Sequence, residues 1–308
     1  MSPHNLLVVS QHAERFSELI AAAQLPELDF QACEQPQAAQ CKNAEILFGA
    51  PDRLVTALPH CRSLRWVQSS WAGVKPLMEQ PRRDFMLTGV KDIFGPPMTE
   101  FVLAWLLALE RRVIQRSQAR HWDDAVDGNL YGKCLGIMGT GSIGTHLAAS
   151  CQALGLKVRG LNSSGSNRPN FDNCYSPAQL DEFAGGLDYL VALLPDTPGS
   201  DRLIDAQFLA RLKPGAILVN GGRANVIDQD ALIAALDSGQ LAHAVLDVLD
   251  QEPLPDSDPL WQVANLHITS HTAAVTIPEI IVTLFCDNYR RYHAGQSLLH
   301  RVDFDKGY

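Results

Sequence analysis

The most constraining feature of this 308-residue chain is the stretch Leu135-Gly136-Ile137-Met138-Gly139-Thr140-Gly141-Ser142-Ile143-Gly144. A short apolar run feeds into a G-x-G-x-x-G, and a helical pattern follows. Gly139 suits the tight turn, Gly141 lets backbone approach a pyrophosphate, and Gly144 lets the helix pack closely on the strand. Unpaired N–H groups at the helix start favour an anion, so Gly139, Thr140, Gly141, Ser142, Ile143 and Gly144 are expected to hold a dinucleotide. The loop begins near residue 139, so roughly one small domain precedes it.

That first part alternates strand and helix signals, with strands expected at Asn5–Ser10, Glu45–Phe48 and Leu64–Gln68 and a helix at Ala13–Ala23. Such alternation implies a parallel sheet. Gly95-Pro96-Pro97 is the strongest break before the glycine loop, and Met98–Arg112 reads as a long apolar helix followed by a connecting loop over 119–131. From Leu135 onward six short apolar runs lie between helical patterns, the size of a full dinucleotide-binding sheet. They are Leu135–Met138, Leu156–Leu161, Asp188–Leu194, Ala216–Val219, Ala242–Asp247 and Leu266–Thr269. The last helix, Ile277–His293, is expected to cross back to the first domain. The expected class is α/β: a Rossmann-type doubly wound parallel sheet over 97–276, inserted into a smaller flavodoxin-like domain of 1–96 plus 277–308, with a cleft between.

A net charge of −9 argues against an extended nucleic-acid surface. Seven scattered cysteines without a C-x-x-C pair argue against zinc and a disulfide framework, so no metal and a reducing, cytoplasmic setting are expected. The longest apolar run, Phe101 to Leu109, is too short to span a bilayer, and no membrane partner is expected.

A doubly wound sheet gathers its ligands outside the carboxyl ends of its strands. Arg223 follows the run Ala216–Val219, Glu252 lies beyond Ala242–Asp247, and His271 follows Leu266–Thr269. Singly, such residues are most often a solvated charge, a turn residue and a structural His. Their common placement points to one reaction centre.

With these residues in view, the chain resembles the D-isomer-specific 2-hydroxyacid dehydrogenase family from about Leu64 to the C-terminus. The resemblance rests on Gly139–Gly144, on Val219-Asn220-Gly221-Gly222-Arg223 with Val226-Ile227-Asp228, on Leu246-Asp247-Val248 with Glu252-Pro253-Leu254-Pro255, and on Ile268-Thr269-Ser270-His271-Thr272-Ala273-Ala274. The overall pattern is most similar to the glyoxylate/hydroxypyruvate reductase-like branch. The resemblance implies reduction of a small 2-oxo acid, with His271 as acid/base, Glu252 as its partner and Arg223 as carboxylate clamp. Trp71-Ala72-Gly73-Val74 resembles the family's carboxylate-binding loop, which implies that the N–H groups of Ala72 and Gly73 hold substrate. It also places Asp247 near the nicotinamide carboxamide, Leu194-Pro195 beside the adenosine and Gly222 against the nicotinamide, and it implies a homodimer.

Elementary chemistry agrees with these roles. Reducing a 2-oxo acid leaves negative charge on oxygen, and His, with a reference pKa of about 6.5, is suited to supply the proton. A carboxylate beside it favours the imidazolium and fixes the ring. Arg offers a planar fork that matches a carboxylate.

Cofactor choice is read from the end of the second strand, where an NAD enzyme usually carries an acid. Here the strand ends in Asn162-Ser163-Ser164-Gly165-Ser166-Asn167-Arg168, with no carboxylate before Asp172. Asn162, Ser163 and Ser164 can donate to a 2′-phosphate and Arg168 can pair with it, so NADP(H) is expected over NAD(H). The competing readings are a dinucleotide-sensing regulatory protein on the same fold and an enzyme oxidising a one-carbon or phosphorus acid. The complete Arg223, Glu252 and His271 set argues against the first. Glu252, where formate-oxidising members carry Gln, argues against the second.

Overall fold

A computed structural model describes residues 3–274 and 277–304. The chain divides into two compact units, Met1–Ile93 with Thr276–Tyr308, and Phe94–Val275. The first boundary lies just before the expected break at Gly95-Pro96-Pro97. Val275 and Thr276, at the second crossing, are outside the described residues, as are residues 305–308.

In the first unit, β1 (His4–Val9), β2 (Leu28–Cys33), β3 (Ile46–Gly49), β4 (Trp66–Ser69) and β5 (Met86–Thr88) form a parallel sheet in the order β2-β1-β3-β4-β5. This is the flavodoxin-like order. The central strands β3 and β4 are buried along their whole length; β3 is an apolar run, whereas β4 carries the buried polar residues Gln68 and Ser69 at its end. The edge strand β2 alternates Leu28, Phe30 and Ala32 with polar or exposed positions, and β5 has only three residues. Neither contains an apolar run of the kind that marks the central strands. The helix Pro278–His293 belongs to this unit. Its Phe285 stacks on Phe48 and Trp66 at 4.5 and 5.4 Å between centroids. Its fully buried Asn288 donates to Gln68 Oε1 at 3.0 Å. Aromatic packing and a satisfied polar contact thus hold the returning helix on the first sheet.

The second unit carries seven parallel strands: β6 (Cys134–Met138), β7 (Lys157–Leu161), β8 (Asn173–Tyr175), β9 (Tyr189–Ala192), β10 (Ala216–Asn220), β11 (Leu241–Leu246) and β12 (Leu266–Ile268). Their order is β12-β11-β10-β9-β6-β7-β8. The six expected strands are present, and the seventh, β8, is a three-residue edge strand. Strand order reverses between β6 and β9, so the crevice outside their carboxyl ends is the topological switch point. The helix Gly95–Glu110 begins at the glycine-proline break itself. Pro96 and Pro97 occupy its first turn, where a missing N–H costs nothing. It packs against the helix Ser142–Ala153, with Thr99 Oγ1 2.9 Å from His146 Nδ1. Among the described residues no helix is long and apolar enough to cross a membrane.

Candidate active site

The glycine loop follows β6 directly. Gly139 adopts φ +104°, and a Cβ there would lie 2.9 Å from the Leu193 carbonyl oxygen. A Cβ on Gly144 would lie 2.0 Å from the Gly139 oxygen. Both positions therefore require glycine for backbone geometry alone. Gly141 differs: a Cβ there would meet nothing within 4 Å. Space stands open over Gly141, at the N-terminus of the 12-residue helix Ser142–Ala153. The protein's own packing does not demand a glycine here; the close approach of an anionic group does. The loop thus fits the diphosphate of a dinucleotide.

The segment after β7 is arranged by Asn162. Its Nδ2 donates to Thr140 Oγ1 at 3.1 Å and to the Ser166 carbonyl at 3.0 Å, and its Oδ1 accepts from Ser164 N and Oγ, both at 3.1 Å. Ser164 and Ser166 hydroxyls also bond to each other. Both amide hydrogens of Asn162 are thus spent inside the protein, although the sequence reading has them directed at a phosphate. Asn162 shapes the loop and ties it to Thr140. Ser163, Ser164 and Arg168 are exposed on it.

Beside the switch point, Leu194 is half-buried, Pro195 is exposed, and the Pro195 carbonyl accepts from Ser200 Oγ at 2.6 Å. A Cβ on Gly222 would lie 2.9 Å from both N and O of Leu194, so this glycine is required by the approach of two loops. Arg223 follows, half-buried, with Nη1 donating to the Gly222 carbonyl at 2.7 Å. The loop is shaped by Asn220, which is 1% exposed. Its Oδ1 accepts from Gly222 N at 3.1 Å and its Nδ2 donates to the Arg223 carbonyl at 2.9 Å.

The His271 ring and the Glu252 carboxylate meet: Nδ1 lies 2.8 Å from Oε2. The other carboxylate oxygen of Glu252 accepts from Leu249 N at 2.9 Å, which anchors the side chain. His271 itself sits at φ +55°, the left-handed region, and its N–H donates to the Asp247 carbonyl at 2.9 Å. With Nδ1 engaged by a carboxylate, Nε2 is the nitrogen left to face a reactant. Asp247 is 2% exposed, and both of its oxygens accept from the His271 loop. The sequence reading places it against nicotinamide; Thr269, which binds it, and Asn220 went unread. The one signal each gives is a polar residue closing an apolar run.

Ala72 and Gly73 lie in the first unit, in the loop that leaves the carboxyl end of β4. Ser69 Oγ holds the turn, accepting from Trp71 N at 2.9 Å and donating to the Trp71 carbonyl at 2.7 Å. Ala72 is exposed and Gly73 half-buried. The seven thiols offer no competing nucleophile. Burial pushes Cys61 and Cys151 up to about 12 and Cys286 up to about 11, and it raises Cys33, Cys41, Cys134 and Cys174 as well.

Residues 103–273 match the family described as D-isomer specific 2-hydroxyacid dehydrogenase, NAD binding domain. The chain belongs to that family. It is an NAD(P)-dependent oxidoreductase of the D-2-hydroxyacid dehydrogenase class. Glyoxylate/hydroxypyruvate reductase A of Serratia proteamaculans (strain 568) is 32% identical over 259 residues, 80% of this chain and 82% of the relative. A D-isomer specific 2-hydroxyacid dehydrogenase family protein from Aeromonas salmonicida subsp. salmonicida A449 superposes with a TM-score of 0.94 at 39% identity, covering 99% of this chain and 100% of that one. The NADPH-dependent glyoxylate/hydroxypyruvate reductase of Sinorhizobium meliloti, solved in complex with NADP and sulfate, superposes with a TM-score of 0.87 at 27% identity, covering 99% and 100%.

Proposed function

We propose that this dehydrogenase reduces a small 2-oxo acid of the glyoxylate or hydroxypyruvate kind to the D-2-hydroxy acid, with NADPH favoured over NADH. The His271–Glu252 pair, at 2.8 Å beyond the strand ends, carries this reading. A bound nicotinamide cofactor would supply the hydride that the carbonyl carbon needs. His271 gives a proton from Nε2 to the carbonyl oxygen as charge develops there, and Glu252 balances the imidazolium beforehand and holds the ring. Arg223 clamps the substrate carboxylate through its planar guanidinium and polarises the neighbouring carbonyl.

Cofactor preference rests on the loop after β7. No carboxylate stands between Asn162 and Arg168 to repel a 2′-phosphate. With Asn162 spent internally, the donors assigned to that phosphate are Ser163, Ser164 and Arg168. The names of the Serratia and Sinorhizobium relatives support the same substrates, and the Sinorhizobium relative's name supports the same cofactor. A panel of 2-oxo acids followed by NADPH and NADH absorbance tests both. The expected result is turnover of glyoxylate and hydroxypyruvate with a higher kcat/KM for NADPH. A clear advantage for NADH overturns the cofactor assignment. Tight NADPH binding without turnover of any acid overturns the reductase assignment and returns the sensing reading.

A homodimer is proposed as well. Trp122 is 92% and Val126 94% exposed in the loop after Gln118, and Tyr131, Val113 and Ile114 are exposed nearby in sequence. Large apolar side chains held in water at this density call for a covering surface, and a second copy of the chain is the proposed cover. Sedimentation at micromolar concentration should give twice the chain mass, and Trp122→Asp with Val126→Asp should give one chain mass. A wild-type monomer defeats the proposal. All seven cysteines are free, which suits a reducing compartment, and the cytoplasm is the proposed location.

A further inference from the structure

Three neighbouring strands, β10, β11 and β12, end in or run directly into a polar residue the reaction scheme leaves unused or only partly used: Asn220 at the end of β10, Asp247 just after β11 and Thr269 just after β12. They form one continuous hydrogen-bonded chain. Asn220 bridges Gly222 N and the Arg223 carbonyl with its side chain, and its own carbonyl accepts from Asp247 N at 3.0 Å. The Asp247 carboxylate then takes three donors from the loop that carries His271: Thr269 Oγ1 at 2.6 Å, Thr272 N at 2.8 Å and Ala273 N at 3.0 Å. Its carbonyl takes a fourth, from His271 N.

We propose that Asn220 and Asp247 are positioning residues that set Arg223 and His271 in register with one another. The proposal rests on His271 being the proton donor. The physical reason is the backbone of His271. A left-handed conformation is costly for a residue with a side chain and persists only where the surroundings over-determine it. Here the clamp spans both sides of His271, with Thr269 before it and Thr272 and Ala273 after it, all on one buried carboxylate. A carboxylate is the group that can accept from all three, since it offers about four acceptor sites and no donor. An Asn at 247 would present an NH₂ either to the Ala273 N–H or to the Thr272 N–H, donor against donor. The loop would then leave this geometry and take the His271 ring with it. The network also links the proton donor to the carboxylate clamp, because Asn220 joins the two loops across β10 and β11.

A direct contact from Asp247 to nicotinamide is the alternative role, and a double-mutant cycle separates the two. The probes are NADPH and the most rapidly reduced acid of the panel, with Asp247→Asn and Thr269→Val each made in the wild-type and in the His271→Ala protein. Positioning predicts that Asp247→Asn lowers kcat by about 100-fold, the scale of a 1 Å misplacement. It predicts that Thr269→Val lowers kcat by about tenfold, the scale of one lost hydrogen bond to a charged group. The NADPH Kd, read by fluorescence, should stay within about threefold, and in the His271→Ala background each change should cost less than about threefold, because two residues acting as one unit are non-additive. Equal losses in both backgrounds, or an NADPH Kd that rises in step with the loss of turnover, overturn positioning while leaving the proton-donor assignment intact. Full activity of His271→Ala alone overturns that assignment instead. Where Asp247→Asn does not fold, Thr269→Val decides, since it removes one donor and leaves the carboxylate in place.

Discussion

His271→Ala is expected to lower kcat and kcat/KM for 2-oxo acid reduction together, by ~10²–10⁴, the range a positioned general acid contributes. That is about 3–5 kcal/mol of transition-state stabilisation. The KM for the acid should move little, because the proton transfer is made only as the alkoxide forms. NADPH affinity should hold, since the open cradle at Gly141 and the loop of Asn162–Arg168 do not involve His271. The residual rate would come from orientation and from Arg223. Steady-state kinetics and a fluorescence titration of NADPH check the two parts separately. Turnover within about threefold of wild type, below the smallest contribution a general acid makes, removes His271 from the reaction.

Arg223→Ala should produce a different signature. The guanidinium is assigned both to the ground-state carboxylate and to the polarised carbonyl, so KM should rise and kcat should fall. Two charge-assisted hydrogen bonds at about 1.5–3 kcal/mol each put the loss in kcat/KM at ~10²–10⁴. Arg223→Lys should recover only part of it, because an ammonium restores charge but not the planar fork. The fold should survive either change. The side chain is half-buried and, among the described residues, makes one hydrogen bond, to the Gly222 carbonyl, while the loop itself is held by Asn220. A 2-oxo acid panel run on both variants tests this. Equal activity of the Lys and Arg proteins would show that fork geometry is not used.

Much of the candidate site was legible because its chemistry sits in contiguous motifs. The turn at Gly139, the open step at Gly141 and the close packing at Gly144 all follow from six consecutive residues. Arg223, Glu252 and His271 could be placed at strand ends because each trails a short strand rich in apolar residues. The Asn162 side chain was a harder case. Its type and position were right for a donor, but which acceptor it meets depends on Thr140, 22 positions away in the chain and adjacent in the fold. Asp247 was the same kind of case, since its partners Thr269, Thr272 and Ala273 come from the next strand and loop.

The sequence alone determined the α/β alternation, the glycine loop and which residues are candidates for the reaction. Those features are encoded by local backbone requirements and by apolar runs long enough to be buried on both faces. The tertiary structure alone decided the edge strands β2, β5 and β8 and the partners of the polar side chains. Each of these three has a single neighbour and no run of consecutive apolar residues long enough to announce it, so its pairing is settled by the strand beside it; the fourth edge strand, β12, was legible in the sequence. A buried amide or carboxylate must find partners wherever the fold brings donors and acceptors together, and that assembly placed Asn220 and Asp247 behind Arg223 and His271.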